Sequence, residues 1–198
     1  LGAFMHRFLR RATLTAASSG LVLLMAAGPA AAHISVNPKT AEAGSYATLS
    51  FKVPNERPNA ATVKVELALP ADQPLASVSV RPLPGWTVKT EKKTLPQPLK
   101  HGDREITSAV SRIVWSGGKV RPGEFQEFEI SAGPLPGHTD RMVFKALQTY
   151  DNGEVVRWIE TAAEGEEEPE HPAPVLTLSP AADDDASARS DTAAATPG

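Results

Sequence analysis

Between residues 47 and 179 apolar and polar residues alternate in short runs broken by proline and glycine. In ATLSFKVP, Leu49, Phe51 and Val53 fall on one side of the period and polar residues on the other, as in a half-buried strand that stops at Pro54. ATVKVELALP repeats the pattern with Val63, Val65, Leu67 and Leu69. ASVSV follows, then the turn RPLPGW, then a strand from Trp86 through Thr90. ITSAVSRIVWSGG reads as a strand closed by a Gly-Gly turn, and EFQEFEISAGP and RMVFKALQTY as one strand each. Asp151-Asn152-Gly153 is a hairpin turn, because Asn and Gly tolerate positive φ, and it leads into EVVRWIE. PVLTL, from Pro174, is the last strand. No stretch holds a helical period over three turns. The pattern predicts an all-β sandwich of roughly eight to nine strands. Trp86 and Trp115 are expected in its core.

The ends of the chain differ from this middle. Arg7, Arg10 and Arg11 precede an Ala- and Leu-rich run, Thr13 to Gly28, which ends at Ala30-Ala31-Ala32. A positive region, a short apolar region and a small-x-small site describe a secretory signal peptide. Residues 1–32 are therefore expected to be removed, leaving His33 first. The run is too short and too rich in Ala and Ser for a good membrane anchor. Residues 33–179 form the expected domain. Residues 180–198, with DDD at Asp183 and no large apolar side chain, are expected to be a disordered tail. The expected product is periplasmic or secreted, without a membrane anchor.

Charge and composition narrow the chemistry. The chain carries 20 basic and 23 acidic residues; three arginines and no acidic residue precede His33, so the part from His33 onward has a net charge of −6. Nucleic acid is not an expected partner. There is no cysteine, hence no disulfide, thiolate site or lipid-modified cysteine. Met142 is the single methionine after His33. HExxH, GxSxG, P-loop and dinucleotide-binding glycine patterns are all missing, and nothing marks a serine triad.

His33 stands out against this background. As an N-terminal residue it offers an α-amine and an imidazole Nδ1 that close a six-membered ring on one metal ion. The amine titrates near about 7.7–8.0 and the imidazole near about 6.5, so a metal displaces little proton at neutral pH. Nitrogen and carboxylate ligands suit tetragonal Cu(II), which heads the affinity order for such donors. The alternative is that His33 is simply the residue cleavage leaves. His101 in LKHGDRE and His138 in LPGHTD read as surface-loop histidines. His171 follows EGEEEPE and reads first as part of a solvated charged loop, with a copper or hard-cation cluster as the other reading.

Taken in order, HISVNP, KVPNE, PGW, EFQEF, YDNGEVVRWIE and EHPAPVL resemble the YcnI-like family, once catalogued as a domain of unknown function and later linked to copper. The resemblance runs from His33 to about Leu178. It implies a cupredoxin-like or immunoglobulin-like sandwich with a Cu(II) site built as a single-histidine brace. His33 would supply amine and imidazole, Glu56 of KVPNE a carboxylate, and Trp158 of VVRWIE would lie against the metal. Without the resemblance, Glu56 reads as a surface carboxylate and Trp158 as a core tryptophan. The function implied is a copper chaperone or buffer in periplasmic copper homeostasis, with a membrane copper transporter or another carrier as partner. Two alternatives stand beside it: a copper-dependent oxidoreductase using the N-terminal histidine, and a metal-free interaction sandwich. The D-x-H element of another exported copper carrier class is missing.

Overall fold

A computed structural model of the chain describes residues 33–163 and 165–181. The expected leader, residues 1–32, and residues 182–198 of the expected tail lie outside them. Twelve strands and no helix occur among the described residues. In chain order they are β1 (Ser35–Asn37), β2 (Thr40–Glu42), β3 (Ala47–Pro54), β4 (Thr62–Ala68), β5 (Ser77–Val80) and β6 (Thr87–His101). Then follow β7 (Arg104–Val120), β8 (Phe125–Gly133), β9 (Arg141–Val143), β10 (Lys145–Tyr150), β11 (Val155–Trp158) and β12 (Val175–Ser179). One sheet has the order β1-β3-β8-β5 and a second β11-β10-β4-β7-β6. A small third sheet, β2-β12-β9, pairs β12 parallel to β2 and antiparallel to β9.

The period-2 faces meet between the two large sheets. Leu49, Phe51 and Val53 of β3, with Phe128 and Ile130 of β8, face Val65 and Leu67 of β4, Ile113 and Trp115 of β7 and Ala146 of β10. Trp115 packs on Phe128 with ring centroids 5.1 Å apart, and Phe51 packs edge-on against Phe144 at the same distance. Each such buried side chain contributes about 1.5–3 kcal/mol relative to exposure. Leu176 and Leu178 of β12 and Met142 of β9 bring the third sheet into the same core.

Three details depart from the sequence pattern. The strand count is higher because β1, β2 and β9 are three residues each, too short for a visible period. RMVFKALQTY is divided between two sheets, β9 and β10, at the fully buried Phe144. Val63 is only half-buried, because an irregularity between Thr62 and Lys64 turns Thr62 inward in its place.

Gly117 and Gly118 do not end β7; the strand runs through them to Val120. Their reason is close approach. Gly117 has φ of 90°, and a Cβ on Gly118 would stand 2.1 Å from Cε2 of Trp86. Trp86, delivered by the PLPG turn, lies across Gly118 and meets Phe128 edge-on at 5.0 Å. Gly118→Ala is therefore expected to push Trp86 off the core and destabilise the domain by about 1–3 kcal/mol. A shifted urea midpoint with an unchanged slope is the measurement that checks it.

Candidate metal centre

Next to His33, Ile34 just before the edge strand β1 and Val36 within it are both buried. β1 pairs antiparallel with β3, Ser35 opposite Lys52. Carried two residues further, that register sets His33 level with Pro54. The histidine is thus held at the end of β3 from which the KVPNE loop departs.

Trp158 closes β11, whose alternation buries Val156 and Trp158 and exposes Val155 and Arg157. Its indole lies 5.8 Å from the His33 ring, centroid to centroid. The indole N–H does not face that histidine. It donates to Oε1 of Gln148 at 3.0 Å. Gln148 is fully buried, and its Nε2 donates to the carbonyl of Pro54 and to Oγ1 of Thr62, each at 2.8 Å. One side-chain amide therefore ties β11, β10, β4 and the end of β3 together, with each of its polar atoms satisfied.

The loop that carries Glu56 is organised by the residue before it. Asn55 is buried; its Nδ2 donates to the carbonyls of Ala60 and Val120, and its Oδ1 accepts from the Arg57 amide. Glu56 is exposed on this loop, and its charge is felt by Arg57 and by the Tyr150 phenol. Arg57 makes a forked contact with Glu154, with Nη2 2.6 Å from Oε1, and lies over the Tyr150 ring. The hydrogen bond to Glu154 raises the guanidinium's pKa, and the same bond holds the Glu154 carboxyl below its ordinary range. Burial pushes the Tyr150 phenol up.

The acidic segment from Gly165 to His171 comes to the same end of the sandwich. Nδ1 of His33 is 3.2 Å from Oε1 of Glu168. The His171 ring stands 5.2 Å from Trp158, edge to face. Its backbone is clamped alongside Glu160: the His171 amide donates to the Glu160 carboxylate, Glu160 N–H to the His171 carbonyl, and Ala173 N–H to the Glu160 carbonyl. A cleft of about 350 Å³ separates this segment from Arg57 and Glu154 and is lined by His171 and Glu160.

His33 and Trp158, expected to act together, are in contact, and Glu56 sits on the loop that follows the Pro54 carbonyl. Among the described residues no group of three or more His, Cys, Asp or Glu is gathered closely enough to hold a metal by itself. His138 is exposed, and His101 at the end of β6 meets the Tyr46 hydroxyl at 3.0 Å. Sequence reasoning missed Gln148, Asn55 and Glu168. A signal existed for the first: in KALQTY, Gln148 occupies the inward phase between Ala146 and Tyr150, where a polar residue needs a partner. Nothing singled out Glu168 from its neighbours.

Together these features define an immunoglobulin-like β-sandwich with a histidine held on a buried tryptophan at one end. The chain belongs to the YcnI-like family, described as a domain of unknown function, DUF1775, which matches residues 33–178. It is 34% identical over 138 residues to the copper-binding protein CutI of Bacillus subtilis (strain 168), covering 69% of this chain and 59% of that protein's length. A crystal structure of an uncharacterized protein from Nocardia farcinica, described as having an immunoglobulin-like fold, is 35% identical with a TM-score of 0.59, covering 74% of this chain and 97% of the other.

Two outcomes follow from the hydrogen bonds. Gln148→Leu is expected to leave the Trp158 N–H and the Pro54 carbonyl without partners and to cost about 2–3 kcal/mol in denaturant titration. Because its folded pKa is depressed, Glu154 contributes stability above the ordinary glutamate value of about 4.3, and that contribution is lost as pH falls through the lower folded value. A series of unfolding curves from neutral pH downward should therefore show a shallower acid loss in Glu154→Gln than in the parent.

Proposed function

We propose that this protein is an exported Cu(II)-binding protein that acts in periplasmic copper homeostasis as a chaperone or buffer. In this reading the leader is cut before His33, and the new α-amine and the imidazole Nδ1 chelate one copper ion. Glu56 supplies a carboxylate, and Trp158 lies against the metal and limits water. The observation that carries the reading is the packing of His33 on Trp158, with Nδ1 turned towards a carboxylate oxygen of Glu168. A Bacillus subtilis relative named as copper-binding supports the choice of metal.

The donor types fit the divalent ion. No cysteine exists, and Met142 is fully buried, so no soft donor is offered at the surface for Cu(I). In the uncut chain the His33 nitrogen is an amide and cannot act as a neutral amine ligand, so processing creates the site. Chelation and release are all the ligand set requires, which favours carriage over catalysis. The copper would pass to a membrane transporter or another periplasmic carrier.

The test compares the chain starting at His33 with the same chain carrying one added N-terminal Ala. Titration with Cu(II) and EPR should find one tightly bound copper in the first. The second should bind at least about 10-fold more weakly, with an altered spectrum. Equal affinity and identical spectra in the two would remove the amine from the site and the brace with it.

A further inference from the structure

The segment Gly165–His171 is placed for a purpose that the brace alone does not use. The nitrogen that the brace requires, Nδ1 of His33, is the one that faces Glu168. Two ligand atoms held at right angles on a first-row divalent ion, with bonds of about 2.0–2.1 Å, stand about 2.9 Å apart. The observed separation of 3.2 Å is within a few tenths of that value. An ion inserted between Nδ1 and the Glu168 carboxylate thus needs little rearrangement. Three residues on, a second imidazole is anchored on the same indole that holds the first.

That second imidazole is not loosely tethered. The three hydrogen bonds to Glu160 hold its backbone two residues past Trp158 in space, and Pro169, Pro172 and Pro174 stiffen the segment around it. Its ring borders the cleft shared with Arg57, the residue after Glu56. Glu166 is engaged in a turn with Ala163, whereas Glu168 projects outward with its side chain 71% exposed, tied to His33. The charges of Glu166, Glu167, Glu168 and Glu170 also concentrate cations at this end of the molecule.

We infer that the copper bound at His33 takes two further ligands from this segment: the Glu168 carboxylate, already beside Nδ1, and the His171 imidazole, whose ring turns in from the indole about its fixed backbone, since the three side chains are not gathered before the ion arrives. The inference rests on the Cu(II) reading above. Nitrogen, oxygen and a second imidazole around one ion remain a hard-to-borderline donor set, suited to Cu(II), with two of its members carried by one segment.

The test uses the chain from His33 to Gly198 loaded with one equivalent of Cu(II). Pulsed EPR counts coordinated imidazoles, and competition with a chelator gives affinity. Two imidazoles are expected in the parent and one in His171→Gln, with affinity lowered about 10–100-fold. Glu168→Gln is expected to weaken binding and keep both imidazoles. Circular dichroism of each variant should match the parent, because the clamp at residue 171 is made by its backbone. One imidazole in the parent, or a His171→Gln protein that binds as the parent does, overturns the role of His171; unchanged affinity in Glu168→Gln overturns that of Glu168. The Ala-extended chain separates the two ideas. Loss of copper there with no effect of His171→Gln leaves the brace and removes the loop; retained copper there with loss in His171→Gln does the reverse.

Discussion

The buried amide of Gln148 is the contact on which this end of the sandwich depends. It receives the Trp158 indole N–H and donates to the Pro54 carbonyl and the Thr62 hydroxyl, so three strands and a loop root share one polar junction inside an apolar core. A buried amide is costly unless every group is paired, and that requirement makes the junction rigid. Rotation of the Trp158 ring would break the bond, so the indole keeps its face available to His33 and His171 and its N–H turned inward.

Around that fixed indole the neighbouring pieces are held by different means. His33 is positioned by burial of Ile34 and Val36 on the edge of the first sheet. The Glu56 loop is positioned by the hydrogen bonds of Asn55, and the acidic segment by its backbone clamp on Glu160. Arg57 and Glu154 join the loop after β3 to the hairpin between β10 and β11. The arrangement is rigid at the indole and progressively more exposed towards the carboxylates. For the carrier role proposed above, such a gradient lets exposed ligands exchange while the platform stays in place.

The proposed copper chemistry joins folding to processing. The domain places the His33 ring against Trp158, but only cleavage before His33 makes its nitrogen an amine. Ligand geometry and ligand identity thus have separate origins, one in the sandwich and one in the cut. The proposed second imidazole and Glu168 extend the same logic, since they come from a segment more than a hundred residues away in the chain and reach the metal only through the fold.

Much of the fold was legible in the residues themselves. Alternation placed β3, β4 and β8, because a strand with one buried face must repeat every two residues, and the Asn-Gly pair placed the hairpin at Asp151–Gly153. The order of HISVNP, KVPNE and YDNGEVVRWIE pointed to the family and singled out His33, Glu56 and Trp158. The three-residue strands were invisible, since a period needs length. The two glycines of β7 read as a turn because Gly117 and Gly118 look the same in sequence whether the chain reverses or a tryptophan crosses it. The partners of Trp158 and the placement of Glu168 and His171 were decided by tertiary structure alone. Local periodicity records which side of a strand is buried; which residues meet across sheets depends on register and packing between segments far apart in the chain, and no local pattern encodes that.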